Sequence, residues 1–220
     1  MNVKKNNLSG CLITLNAEKD IKKCICNIKD YVNEIIVVDA GSHDRTLEIA
    51  KSCGAQLFKR KCKDDFASQR NYAIQKAKGE WIFFLDTDEI CSEALLNNFQ
   101  KFINNKHSID GYLIRRKNYL DGKLMKKKDY QLRLFRRYGY YIGRVHEVVE
   151  GLRKIEKAEP DNQFFIIHSK IKNEQKKHLL SQKKIMLDDL KEAKNKNDQQ
   201  EVSRITESLR HWQRWWKEAQ

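Results

Sequence analysis

Short apolar runs and stretches with apolar residues three or four apart alternate along the first ninety residues of the chain. Cys11-Leu-Ile-Thr-Leu15 is a compact apolar run that ends at Asn16, and apolar positions 21, 25, 28 and 32 then give a helical spacing from about Ala17 to Tyr31. Glu34 to Asp39 predicts a second buried strand with a carboxylate at its C-terminal end. The following helix runs from Arg45 to Ser52, with Asp44 as its N-cap or first-turn acid. Gly54 stops that helix and Ala55 to Phe58 predicts a third strand. Phe66 to Lys78 predicts a helix ended by Gly79, and Trp81 to Asp86 a fourth strand. Strands alternating with helices in this order predict a parallel sheet with right-handed crossovers, whose ligands bind at the carboxyl ends of the strands. Asn16, Asp39 and Asp86 all stand at such ends.

A helix is predicted from Ser92 to Phe102, and the pattern then changes. Gly111 to Tyr119, Gln131 to Arg136 and Gln163 to His168 read as strands joined by hairpins or short loops. From Asn173 onward the spacing is helical. Leu179, Met186, Leu190 and Ala193 share one face, Asn195 to Asp198 reads as a turn, and Val202, Ile205, Leu209, Trp212 and Trp216 recur at three and four. The expectation is an α/β domain over residues 1–170 and a basic helical hairpin over 171–220.

Composition adds one constraint. The 220 residues carry a formal net charge of +14, and ten Lys or Arg against two Asp fall between Tyr112 and Arg137. Charge bears on partners rather than fold, and nucleic acid, anionic lipid, a diphosphate substrate or a lysine-rich composition each account for it. One Pro and nine Gly argue against linkers and low-complexity segments. The six Cys lack C-x-x-C spacing and read as reduced thiols of a cytoplasmic protein. Neither a secretory signal nor a run of about 20 apolar residues is visible, so no membrane crossing is expected.

The chemistry centres on Trp81-Ile-Phe-Phe-Leu-Asp86-Thr-Asp88-Glu89, where an apolar strand stops at three carboxylates. On an extended backbone Asp86 and Asp88 would fall on one side, as two oxygen ligands for magnesium or manganese with positions left for substrate phosphates. Taken alone, the motif reads equally as an acidic turn after a core strand.

Four segments together resemble family 2 glycosyltransferases of the GT-A fold: Ile13-Thr-Leu-Asn16-Ala-Glu18, Val37-Val-Asp39-Ala-Gly-Ser-His-Asp44-Arg-Thr46, Gln69-Arg70-Asn71-Tyr-Ala and Leu85-Asp86-Thr-Asp88-Glu89. With Gly79-Glu-Trp81 ahead of the acidic motif, the chain looks most like the small lipopolysaccharide-core or cell-surface glucosyltransferase branch, over roughly residues 9 to 170. The resemblance implies a GT-A fold, Rossmann-like, with a mostly parallel sheet between helices. It also implies a nucleoside-diphosphate sugar as donor, a UDP-sugar first among them, and Mn2+ or Mg2+ as cofactor. Thr14 and Asn16 would line the base and ribose, Asp39 would accept a hydrogen bond from either, and Arg70 would face nucleotide or sugar. Asp88 would hold the metal and Asp86 sugar or ribose hydroxyls. His43 stands where the family often has Thr or Ser.

A single-displacement, inverting transfer also needs a base for the acceptor's proton. Val145-His146-Glu147 resembles the family's V-H-E segment, which assigns that role to Glu147; the alternative is a polar loop pair. Position 150 is Glu, so the second His of a zinc-protease H-E-x-x-H motif is missing. His168, at the end of the last predicted strand, matches the late His that many GT-A enzymes place on the metal, where imidazole would favour manganese. Arg133 and Arg136 match an R-L-F segment and would meet phosphate or acceptor, with a solvated strand face as the alternative for Arg136 and Arg137.

Trp212, Trp215 and Trp216 with Arg210, Arg214 and Lys217 form an amphipathic basic end. It would rest on an anionic leaflet at the inner face of a membrane, pair with a second subunit, or pack on the chain's own first domain. The rival to an enzyme is a basic protein that binds nucleic acid or a membrane surface without catalysis. That reading leaves the carboxylates at successive strand ends unexplained, and no nucleic-acid partner is expected.

Overall fold

The computed structural model describes residues 7–62, 64–104, 108–145, 147–170 and 172–218, with side chains except at 172–178, 215 and 218. The chain begins β1 (Leu8–Thr14), α1 (Ile21–Ile28), β2 (Glu34–Asp39), α2 (Thr46–Ser52), β3 (Gln56–Lys59), α3 (Phe66–Lys76) and β4 (Trp81–Asp86). The four strands pair in parallel in the order β3-β2-β1-β4. Their side chains alternate between two buried faces. Leu8, Leu12, Val37, Phe83 and Leu85 pack with the buried face of α1, while Cys11, Ile36, Val38, Ile82 and Phe84 pack with that of α3. Apolar residues on both faces are why these strands read as continuous hydrophobic runs.

Beyond β4 come β5 (Glu89–Cys91), α4 (Glu93–Asn97), α5 (Phe99–Ile103), β6 (Gly111–Leu120), β7 (Lys123–Leu124) and β8 (Asp129–Arg136). They are followed by β9 (Tyr140–Ile142), β10 (Val148–Glu150), β11 (Ile155–Lys157), β12 (Phe165–Lys170), α6 (Lys172–Asn195) and α7 (Gln199–Glu218). The sheet continues β4-β8-β6-β12-β5, with β7 and β11 attached to β6, while β9 and β10 form a separate ribbon. Here the pairing is mixed. β8 is antiparallel to both β4 and β6, β12 is parallel to β6, and β5 is antiparallel to β12. The parallel character of the first half therefore does not extend through the second.

Several local expectations are corrected. The helix predicted from Ser92 to Phe102 is two short helices, because the Asn98 side chain donates to the Ala94 carbonyl at 2.9 Å and competes with the helical ladder. Gly79 does not cap α3, which ends at Lys76. Its N–H donates to Ser9 Oγ at 2.9 Å, and a Cβ there would lie 2.8 Å from the Ser9 backbone nitrogen, so the position needs close approach instead. Arg136 lies at the N-terminal end of β4, opposite Trp81 and with its guanidinium 4.4 Å from that ring centroid. It is thus at the far rim from Asp86 and meets neither phosphate nor acceptor there.

The C-terminal helices pack against each other through a third core. Leu179, Ile185, Met186 and Ala193 of α6 meet Ile205 and Trp212 of α7, with Val145 from the segment between β9 and β10 inserted among them. Asn197 adopts φ 54° in the turn, and Asp198 Oδ1 accepts from Glu201 N–H at 2.9 Å at the start of α7. Trp212 is 3% exposed, its indole N–H donates to the Leu179 carbonyl, and it stacks on Trp216 at 5.4 Å. Trp212 therefore offers no face to lipid; the Trp215 side chain lies outside the described residues. No helix among the described residues is long and apolar enough to cross a membrane.

Candidate active site

Strand register brings the predicted strand ends to one rim. Thr14 pairs with Asp39 across β1 and β2, and Ile13 pairs with Asp86 across β1 and β4. Asp86 and Asp88 do not share the side of one extended strand, however. The chain turns at Thr87-Asp88, and the Glu89 carboxylate folds back to accept from Asp86 N–H at 3.0 Å. The turn sends the two aspartates to different partners.

Asp86 faces two guanidiniums. Arg70 Nη2 donates to its Oδ1 at 2.8 Å and Arg133 Nη2 to its Oδ2 at 2.7 Å. Arg133 also donates to Glu89 Oε1 at 2.6 Å, and Arg116 reaches that same oxygen at 3.3 Å and Asp129 Oδ2 at 2.8 Å. At the other end of the chain of charges, Arg70 Nε donates to Glu147 Oε1 at 3.2 Å. Arg70 itself is buried against Phe84 and Tyr141, with its Cζ 4.7 and 5.4 Å from the ring centroids. Burial works against ionisation of Asp86, yet Arg133 and Arg70 hold its carboxyl well below the usual carboxylate range. Burial likewise opposes the charge on Arg133, and Asp86 and Glu89 more than restore it, so its pKa stays well above the ordinary arginine value.

Asp88 meets the other branch. His168 Nε2 lies 3.3 Å and Lys170 Nζ 3.7 Å from Asp88 Oδ2. The imidazole tautomer follows from its neighbours. Asp129 Oδ2 accepts from Asn118 Nδ2 at 3.0 Å, which turns Asn118 Oδ1 toward His168 Nδ1 at 2.7 Å. Nδ1 therefore carries a proton; Nε2 when protonated donates to Asp88, and once that proton is lost its lone pair is free for a metal ion. A carboxylate holding a histidine through one intervening group is a common way to orient a metal-binding imidazole. Burial raises the Asp88 pKa, but the hydrogen bond and charge of His168 and the charge of Lys170 bring it below the usual value.

No group of three or more His, Cys, Asp or Glu side chains among the described residues could hold an ion by itself. The donor set instead fits an ion completed by its substrate. Asp88 Oδ2 and His168 Nε2, 3.3 Å apart, are close to the spacing of about 3.0 Å for neighbouring ligands on an octahedral divalent ion. The connected charges also leave room for a cation: Arg70, Arg116, Arg133 and Lys170 face the five carboxylates of Asp86, Asp88, Glu89, Asp129 and Glu147.

Arg70, Asp86, Asp88, Glu147 and His168 line one cavity of about 910 Å³, whose other walls include β6, β8 and the α6–α7 hairpin. Thr14, Asn16 and Asp39 do not line it and form an adjoining cluster. Asp39 accepts from Gly41 N–H and Ser42 N–H, both at 3.0 Å, so its carboxylate shapes the loop after β2. Asn16, at φ 51°, donates its N–H to Ser42 Oγ at 2.9 Å and accepts from His43 N–H at 2.9 Å. Thr14 is 5% exposed and its hydroxyl has no partner among the described residues. His146 lies outside the described residues. A separate cleft of about 740 Å³, between α3 and the α6–α7 turn, contains none of the predicted residues.

The loop before Glu147 is clamped by the hairpin. Arg144 Nη1 pairs with Asp189 at 2.6 Å, the Arg144 carbonyl accepts from Phe66 N–H at 2.9 Å, and Arg204 covers Gly143. Gly143 has φ +85°, and a methyl group there would overlap the Arg204 guanidinium. Gly143→Ala should therefore cost about 1–2 kcal/mol from the left-handed backbone alone, measured by urea unfolding.

Arg116, Asn118, Asp129, Glu89 and Lys170 were not among the sequence-predicted site residues. The available signal was the alternation along β6, which puts Arg116 and Asn118 on one face of a strand. Arg133, expected at phosphate or acceptor, lines the cavity as a 4% exposed bridge between two carboxylates.

A parallel half-sheet with polar strand ends at one rim, extended by a mixed half that walls a cavity over them, is the GT-A type of α/β architecture. The chain belongs to glycosyl transferase family 2, whose family model matches residues 9–180. Among curated relatives, the SPbeta prophage-derived glycosyltransferase SunS of Bacillus subtilis is 42% identical over 85 residues, covering 37% of this chain and 20% of SunS. An uncharacterized glycosyltransferase of Rickettsia prowazekii is 32% identical over 106 residues, 48% of this chain and 36% of the relative. A TPR repeat-containing protein of Synechococcus elongatus is 44% identical over 82 residues, 37% of this chain and 20% of its own length. The chain thus spans between a fifth and about a third of these relatives. Of solved structures, S. aureus TarS 1–349 superposes with a TM-score of 0.59 at 18% identity, over 83% of this chain and 65% of TarS 1–349. At that identity the likeness concerns the fold.

Proposed function

We propose that the protein is a metal-dependent, inverting glycosyltransferase that moves a sugar from a nucleoside-diphosphate sugar, a UDP-sugar first, to an acceptor hydroxyl. The observation that carries this reading is the meeting of Asp88, His168, Asp86, Arg70 and Glu147 around one cavity at the carboxyl rim of the sheet. Family membership and the name of SunS support it, as does a crystal structure of TarS 1–349 in complex with UDP-GlcNAc. Mn2+ or Mg2+ held by Asp88 and His168 would supply positive charge against the leaving diphosphate.

The chain's own residues would do the rest. The orphaned Thr14 hydroxyl, with Asn16 and Asp39, would meet the base and ribose. Asp86, fixed by two arginines, would accept from a sugar or ribose hydroxyl, and Arg70 would face the donor through its unpartnered Nη1. Glu147 would take the acceptor's proton. The transferase domain would span 1–170 and the hairpin 171–220. A cytoplasmic location with peripheral contact at the inner face of a membrane, or a homodimer, would use the exposed basic residues of α7 such as Arg210 and Arg214.

With Mn2+, one of UDP, GDP, TDP or CMP should raise the melting temperature. At a ligand concentration a hundred times Kd the gain is about 2.7 kcal/mol. Asp88→Ala should remove that gain while leaving the ligand-free melting temperature nearly unchanged. If none of the four nucleotides shifts the wild-type melt, the donor assignment fails.

A further inference from the structure

Part of the cavity wall comes from α7. Arg204, Glu207, Ser208 and His211 all line it, spaced three and four apart, so they form one stripe of the helix. The neighbouring face of α7, Val202, Ile205, Leu209, Trp212 and Trp216, packs on α6 and inside the third core. The hairpin is therefore two-sided: its apolar face fixes it, and a polar stripe is left pointing at the reacting groups.

The chemistry of that stripe is selective. Ser208 Oγ donates its proton to the Arg204 carbonyl at 3.1 Å, so toward the cavity it can only accept. Glu207, an exposed carboxylate, also only accepts. The one permanent cation of the stripe, Arg204, is doubly bonded to Glu201 at 2.7 and 2.6 Å. Glu207 and Ser208 thus ask for a ligand rich in donors, and hydroxyl groups supply them. A phosphate offers only acceptors and would face the Glu207 charge, while the cavity cations Arg70, Arg116, Arg133 and Lys170 are already paired with carboxylates. Met125, Leu132 and Val148 line the same cavity and would meet the C–H face of a sugar ring or an alkyl group attached to it.

We propose that Glu207 and Ser208 of α7 form the acceptor subsite and select a neutral, polyhydroxylated acceptor of the sugar class over a phosphorylated one. This rests on the glycosyltransferase reading of the same cavity, and names the side of it that the acceptor occupies. The basic β6–β8 segment outside the cavity then has no part in holding the reacting sugar.

The test uses the full chain and two independent readouts. Binding of octyl glucoside, octyl galactoside and octyl N-acetylglucosaminide is followed by saturation-transfer NMR, with glucose 1-phosphate as the phosphorylated competitor. Nucleotide binding is followed by thermal shift with Mn2+. At least one octyl glycoside should bind the wild type in the millimolar range. Its affinity should fall about tenfold, or about 1.4 kcal/mol, in Glu207→Ala/Ser208→Ala, with the nucleotide shift unchanged. Glu207→Gln alone, which leaves the helix and Ser208 intact, should give part of that loss and guards against misfolding of the double variant. The subsite is overturned if the glycoside binds both variants as it binds the wild type, if none of the three glycosides binds, or if glucose 1-phosphate binds more tightly than the neutral glycosides. Loss of the nucleotide shift in the wild type would instead strike the donor assignment, which rests on Asp88 and His168 and not on Glu207 or Ser208.

Discussion

Arg133→Met is expected to destabilise the protein by about 3 kcal/mol at neutral pH, the low end of the 3–5 kcal/mol cost of removing one partner from a buried ion pair. Arg133 bonds both Asp86 and Glu89. Glu89 is fully buried, and without Arg133 its charge keeps the 3.3 Å contact to Arg116 and the 3.0 Å hydrogen bond from Asp86 N–H. Asp86 keeps Arg70, and its side chain is 28% exposed, so solvent takes up part of the loss. These remaining partners are why the low end of the range applies. Methionine fills much of the volume, which separates the effect of charge from that of a cavity.

The pH dependence has a definite sign. In the folded protein the Asp86 carboxyl sits well below its unfolded value, so its contribution is complete above the unfolded pKa of about 3.9 and is lost as pH falls through the lower folded pKa. Arg133→Met removes the stronger of the two charges that cause the depression. The stability gap between wild type and variant should then be widest from about pH 5 to 7 and narrow in strong acid, as the wild type loses the same contribution. Urea unfolding at several pH values measures this. A gap that stays the same from pH 7 into strong acid would mean that Arg133 acts through packing and not through charge.

What could be read from the sequence follows the range of the interactions. β1, β2 and β4 were legible because both their faces are buried, and Asn16, Asp39 and Asp86 were legible because a carboxyl end of such a strand is a defined place. The geometry of Asp86 and Asp88 was not, since it depends on Glu89 folding back onto a backbone N–H and turning the chain between them. Period-two alternation does not anticipate a side chain bonding its own backbone. The setting of His168 was hidden for a different reason. Its partner Asn118 is fifty residues away and meets it only through the β6–β12 register, where His168 stands opposite Asn118. The apolar repeat of α7 was plain at the spacing of Val202, Ile205, Leu209 and Trp212, while its polar stripe is indistinguishable from a solvated face until the cavity beside it is seen.

Glu147→Gln should lower the rate of transfer by about 10²–10⁴-fold, the usual weight of a general base. The glutamine oxygen can still accept from Arg70 Nε, so the 3.2 Å contact can persist and stability should change by no more than about 1 kcal/mol. Nor should the clamp on the preceding loop be disturbed, because Arg144, Asp189 and Phe66 hold it through other atoms. The nucleotide-dependent thermal shift is therefore expected to match the wild type while turnover collapses, which separates the acceptor's proton from donor binding. Arg70 makes this more than a truncation test, since the same guanidinium bonds Glu147 on one side and Asp86 on the other. If the variant keeps wild-type turnover, the proton goes elsewhere, and Glu147 is left as a structural partner of Arg70.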